Sequence, residues 1–148
     1  MPHWIPNPDF GSTDYDMFAA NWKVPFMMFG LGAFMENPWI DDIVEKTNPY
    51  ARAILLNRAT AAKKGIKDGD EIWVESRAGK TRGTVKVTEL VHPEVVGFPG
   101  NFGSATNLMN PIAKKGPHYN DLISMDDSSF DPISGGVEIS PRVKIYKA

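Results

Sequence analysis

The chain of 148 residues predicts a mixed α and β fold, a small sheet with short helices, and three features carry that expectation. Ala53 to Leu56 is a short continuous apolar run, the pattern of a strand buried on both faces. Ile72 and Val74, then Val85 and Val87, alternate with polar residues on either side of a Gly-containing turn, the pattern of a hairpin. Asn37-Pro38 and Asn57 each stand where a helix would begin, because an Asn side chain accepts an orphan N–H and a proline in the first turn wastes no donor.

Taken in order, residues 1 to 36 form an extended lead-in rich in Pro, Gly and aromatics. Trp4, Ile5, Phe10, Trp22 and Phe26 make it too apolar for a free tail, so it should pack on the domain or on another polypeptide. Beyond Asn37-Pro38, the residues Trp39, Ile40, Ile43 and Val44 fall on one helical face, and Asn48-Pro49 ends that helix. After the strand at Ala53, a second helix runs from Ala59 to Lys64, with Gly65 as its left-handed terminator. The turn Lys67-Asp68-Gly69-Asp70 leads into the hairpin, which reverses at Arg77-Ala78-Gly79-Lys80. His92-Pro93-Glu94 turns the chain into Val95, Val96 and Phe98. A last strand is expected from Pro141 to Tyr146, with Val143 and Ile145 on one face. The Gly- and Asn-rich stretch from Pro99 to Gly136 is long for a loop, and such stretches are functional or carry structure of their own.

Composition excludes several classes. The formal charge of −2 gives no general attraction for nucleic acid, and Lys63, Lys64 and Lys67 read as a solvated helix end whose cations offset the dipole. The absence of Cys rules out disulfides, iron–sulfur ligation and thiolate metal ligands within the chain. The apolar stretch from Val24 to Met35 is too short and too broken by glycine to span a bilayer, so no direct membrane insertion is expected. His3, His92 and His118 lack metal-ligand spacing, and Ser104 has no evident His and Asp partners for a hydrolase triad.

The run from Ala53 to Phe98, with Asn57, the Gly65-Ile66-x-Asp68-Gly69-Asp70 turn, the hairpin at Gly79, and Thr88, Val91, Pro93 and Val96, resembles the C-terminal molybdopterin-dinucleotide-binding domain of the dimethyl sulfoxide reductase family of molybdenum and tungsten oxidoreductases. Arg58 stands where that family commonly has Pro. Upstream, Asn21-Trp22-Lys23 and Asn37-Pro38-Trp39-Ile40 are similar to the family's opening segment. Downstream, Gly116, His118, Asn120 and Leu122, then Asp131, Gly135 and Val143-Lys144-Ile145, are similar to its closing pattern. The resemblance implies a mainly β fold with short helices, a double-psi β-barrel of the aspartate-decarboxylase-like and formate-dehydrogenase C-terminal-domain type, occupying residues 1 to 148 as one domain.

It further implies a ligand, molybdopterin guanine dinucleotide, whose Mo or W is held by the cofactor and by other domains. Pyrophosphate needs cations and closely approaching backbone N–H groups. Lys23 with Gly30 and Gly32 would supply these, although the two glycines equally read as breaks in an apolar run. Pterin edges match amide side chains, for which Asn120 beside His118 is the expected contact, a turn-capping Asn being the plainer reading. Asn101, Phe102 and Gly103 are further candidates, with loop structure and ligand contact equally plausible. Asn57 also faces two readings, and helix capping explains it better. Asp68 and Asp70 shape a turn and are assigned no catalysis.

No residue of the chain is expected to be catalytic, and the partners implied are the remaining domains or the catalytic subunit of an oxidoreductase. Two alternatives belong to other classes. One is a cofactor-free double-psi barrel serving as an interaction module. The other is a self-cleaving decarboxylase-like enzyme, for which Gly11-Ser12 and Gly103-Ser104 are the available bonds.

Overall fold

The computed structural model describes residues 5–6, 9–24, 36–100, 102–103 and 106–148. Its centre is a closed barrel of six strands: β1 (Met17–Trp22), β2 (Ile54–Asn57), β3 (Glu71–Glu75), β4 (Lys80–Thr88), β5 (Val95–Pro99) and β6 (Arg142–Lys147). Around the barrel the order is β1, β5, β2, β4, β3, β6. Two pairs are parallel, β1 with β5 and β2 with β4, while β2 runs antiparallel to β5 and joins the two pairs into a double-psi barrel. Among the described residues, closure leaves the barrel no open sheet edge.

The register fixes two ends. At one end Trp22 lies opposite Pro99, and β2 begins beside them; at the other, Phe18 lies opposite Val95, and β2 finishes at Asn57. We call the first the mouth. Inward-facing residues fill the barrel: Met17 and Ala19 from β1, Ile54 and Leu56 from β2, Ile72 and Val74 from β3, with Val85, Val96, Phe98 and Val143, all at most 2% exposed. A smaller cluster of Val24, Val44, Ala51, Phe102 and Ala113 packs outside it.

The middle of the chain follows its local signals. Asn57 caps α2 (Arg58–Lys64) by accepting the Ala59 N–H at 2.9 Å, and Gly65 ends it at φ +65°. In the turn before β3, the Asp70 carboxylate accepts the Lys67 N–H at 2.9 Å and Asp68 accepts the Val87 N–H at 2.7 Å, so both carboxylates serve the backbone. The Pro99-to-Gly136 stretch does carry structure: 3-10 turns at Pro111–Lys114, Tyr119–Leu122 and Asp127–Ser129, and a bridge from Phe130 to Val137.

Within the expected lead-in, residues 17–22 form β1, a barrel strand with neighbours on both sides. The first helix, α1 (Pro38–Thr47), is capped by Asn37 as expected, and its apolar stripe is buried in part. Val44 is fully buried and Ile40 packs against the same cluster, whereas Trp39 is 80% and Ile43 48% exposed. Asp41, 7% exposed, is buried beside them in an ion pair with Arg52. Among the described residues, no helix is long and apolar enough to cross a membrane.

Candidate functional site

Three segments far apart in sequence meet at the mouth. The first is the end of β1 and the residues after it, Asn21 to Val24. The second leaves β5 at Pro99, where the Gly100 N–H donates to the Trp22 carbonyl at 3.1 Å and keeps the two segments side by side. The third is the turn from Gly116 to Leu122. Gly103, at φ +75°, binds the second segment to the third: a Cβ there would stand 2.5 Å from the Gly116 carbonyl oxygen and 2.6 Å from the His118 nitrogen, so only glycine fits.

The third segment is anchored from several sides. The His118 N–H donates to Thr81 Oγ1 at 2.9 Å, and the Ser76 hydroxyl donates to the Leu122 carbonyl at 2.9 Å. His118 Nδ1 lies 2.8 Å from Asp121 Oδ1, which orients its ring. Tyr119 and Leu122 are buried on either side of Asn120, which is itself exposed. Asn120 therefore stands on a fixed backbone with its amide outward.

That amide faces a groove of about 360 Å³ lined by Asn21, Tyr119, Asn120, Ile123, Met125 and Ile139 together with Val137. Among the described residues, neither the Asn21 nor the Asn120 side-chain amide has a hydrogen-bond partner, and Lys23, exposed two residues beyond Asn21, has no ion pair. An open groove with two free amides, an apolar wall and a nearby cation fits a flat heterocycle with donor and acceptor edges joined to phosphate.

The expected site residues divide accordingly. Lys23, Phe102, Gly103, His118 and Asn120 come together at the mouth. Of these, Phe102 contributes packing: it is 1% exposed, and the Arg52 guanidinium carbon lies 5.5 Å from its ring centre. Asn57 does not join them. It sits at the opposite end of the barrel, where its amide nitrogen donates to the Val91 carbonyl at 2.9 Å and to Glu89 at 3.2 Å while its oxygen caps α2. Capping wins, and no part of the amide is left for a ligand. Gly30, Gly32, Asn101 and Ser104 lie outside the described residues. Among those described, no cluster of three His, Asp or Glu side chains could hold a metal.

Asn21 was not singled out from the sequence. The available signal is alternation: Met17 and Ala19 face inward, and Asn21 continues that series as its first polar member. A polar residue ending an inward apolar series marks where the interior opens to solvent.

The geometry thus defines a domain of the double-psi barrel class with an open groove at one mouth and, among the described residues, no cluster of metal-ligating side chains. The family model described as the molydopterin dinucleotide binding domain matches residues 41–141, and the chain belongs to that family. It is 32% identical over 99 residues to the thiosulfate reductase molybdopterin-containing subunit of Salmonella typhimurium, covering 67% of this chain and 13% of that protein. It is 29% identical over 130 residues to a sulfite dehydrogenase subunit of Allochromatium vinosum, covering 76% and 13%. Among solved structures, acetylene hydratase from Pelobacter acetylenicus has the same fold, with a TM-score of 0.66 at 18% identity, covering 95% of this chain and 19% of that one. The chain spans less than a fifth of the length of each of these proteins. It is a molybdopterin-dinucleotide-binding domain of the kind carried by larger oxidoreductases, in line with the resemblance read from its sequence.

Proposed function

We propose that the mouth of the barrel holds molybdopterin guanine dinucleotide within a molybdenum or tungsten oxidoreductase, with residues 1 to 148 acting as one cofactor-binding domain. The observation that carries this reading is the convergence of Asn21 and Asn120, from separate segments, on one groove, with Lys23 two residues beyond Asn21. Lys23 neutralises phosphate charge, and the Asn120 amide pairs with an edge of the pterin or nucleotide base. Asn21 supplies a second amide, and Ile123 and Ile139 cover the heterocycle and exclude water. Gly103 and His118 hold the backbone that presents these groups. When bound, the cofactor supplies the metal centre at which electrons or an oxygen atom are transferred. The remaining domains, or a separate catalytic subunit, supply the side-chain metal ligand and the substrate pocket.

The test is cofactor retention in the full-length protein purified with its cofactor, read as metal content and as pterin fluorescence after oxidative release. Lys23→Ala combined with Asn120→Ala is expected to lose most of the cofactor while the fold persists. Because Lys23 acts through charge, the single Lys23→Ala variant should differ least from the parent at high salt. Full retention in the double variant would reject the assignment.

A further inference from the structure

Asn120 acts only as well as it is placed, and the residue before it has an arrangement that ordinary packing does not require. Tyr119 is 2% exposed, its ring tilted against Phe98 with centroids 5.4 Å apart. Its hydroxyl reaches two main-chain carbonyls on different elements, Ala19 at 3.1 Å and Ile139. One satisfied partner would be enough for a buried phenol. Here a single proton is shared between two acceptors, and burial pushes the phenol's pKa up, which keeps that proton in place.

Both carbonyls belong to segments that border the groove: Ala19 lies on β1 two residues before Asn21, and Asn21 and Ile139 both line it. These two segments are joined by the Ala19 N–H, which donates to the Pro141 carbonyl at 2.9 Å. The other anchors of the turn, Thr81 and Ser76, fix it to the β3–β4 hairpin. The Tyr119 hydroxyl is the side-chain group, among the described residues, that ties the Asn120 turn to both segments at once.

We infer that Tyr119 is a positioning residue for the cofactor, its hydroxyl fixing the Asn120 turn against β1 and the Ile139 segment; this rests on the reading of the groove as the cofactor site. Tyr119 touches no ligand atom in this scheme. It acts through the spacing of the groups that do.

The experiment measures the rate of cofactor release from the full-length holoprotein, well below its unfolding temperature, for three variants. Tyr119→Phe keeps the ring and removes one oxygen atom, so the fold persists. It is expected to release cofactor about tenfold faster, the scale of one lost hydrogen bond, with the parent's salt dependence because no charge is removed. Ile72→Val, in the barrel core away from the groove, should lower the unfolding temperature and leave the release rate unchanged. Asn120→Ala should release fastest. If Tyr119→Phe releases no faster than Ile72→Val while Asn120→Ala releases quickly, the positioning role is overturned and the cofactor site stands. If Asn120→Ala retains cofactor as the parent does, the groove is not the site and both readings fall.

Discussion

Arg52, in the turn that follows α1, forms a buried ion pair with Asp41 on the helix and lies over the ring of Phe102 in the loop leaving β5. Glu45 also pairs with Arg52, and Lys115 approaches both carboxylates at 3.5 and 3.2 Å. One guanidinium thus links α1, the entry to β2 and the loop that carries Gly103. Burial lowers the Arg52 pKa from its ordinary value, a sign that the cation has lost solvent and depends on these partners.

Removing Arg52 should therefore cost more than a surface ion pair. Arg52→Met leaves Asp41 buried without its main partner and is expected to destabilise the domain by about 3 kcal/mol. Arg52→Met with Asp41→Leu should recover most of that loss, because no orphaned charge remains. Chemical unfolding of the two single variants and the double variant measures the coupling, and additive losses would contradict it.

Gly103→Ala meets both a left-handed φ and a backbone oxygen 2.5 Å from the new Cβ. The conformational term alone is about 1–2 kcal/mol, and the clash with the Gly116-to-His118 backbone adds to it. The relief available is displacement of that segment, so the expected result is lowered thermal stability together with weaker cofactor retention. A Gly103→Ala protein with parental retention would mean that the loop is not coupled to the groove.

Asn57→Ala separates structure from binding. It removes the cap of α2 and the bond to the Val91 carbonyl, a loss of about 1–2 kcal/mol. Its cofactor retention should match the parent's, since Asn57 lies at the end of the barrel opposite the mouth. Asn120→Ala should show the opposite profile, little change in stability and a large change in retention. Measuring both quantities on both variants tests the assignment of the two ends.

The turn before β3 predicts acid sensitivity. The Lys86 ammonium and the Val87 N–H hold Asp68 below its usual 3.8, and the Lys67 N–H and the Lys147 ammonium do the same for Asp70. A carboxylate whose pKa is depressed in the folded state stabilises that state above the unfolded value, and the contribution is lost as pH falls through the folded value. Unfolding temperature should thus decline as pH drops below about 4. Asp68→Asn should flatten that decline, and the same steepness in parent and variant would count against this origin. Asp68 is solvent-exposed and Asp70 half-buried, so molar salt should shrink the Asp68 contribution most.

The middle of the chain was legible because its signals act over a few residues. Asn57 capping a helix, Gly65 ending it and the Asp68-Gly69-Asp70 turn are local backbone chemistry, and the alternation of Ile72 and Val74 needs only a two-residue period. β1 was less legible. Its inward residues Met17 and Ala19 are separated by Phe18 and followed by Ala20, so the strand carries no clean apolar-polar alternation, and an aromatic-rich setting hid it. The stripe of α1 was legible in part: Ile40 and Val44 pack inward, while Trp39 and Ile43 stay exposed and Asp41 is buried in an ion pair with Arg52, a distant partner that the stripe does not announce.

By itself the amino-acid sequence determined the elements, the class of fold and, through the resemblance of its motifs, the ligand family, because each of these is written in residues close enough to act on one another before the chain is folded. Only the tertiary structure decided which candidates share an end of the barrel. Lys23 follows β1 at the end where Asn21 and Asn120 line the groove, and Asn57 lies at the other, because strand register places Trp22 beside Pro99 at one end and Asn57 at the opposite one. That register is set by filling the closed interior and satisfying backbone hydrogen bonds across distant segments, a condition that no single stretch of chain contains.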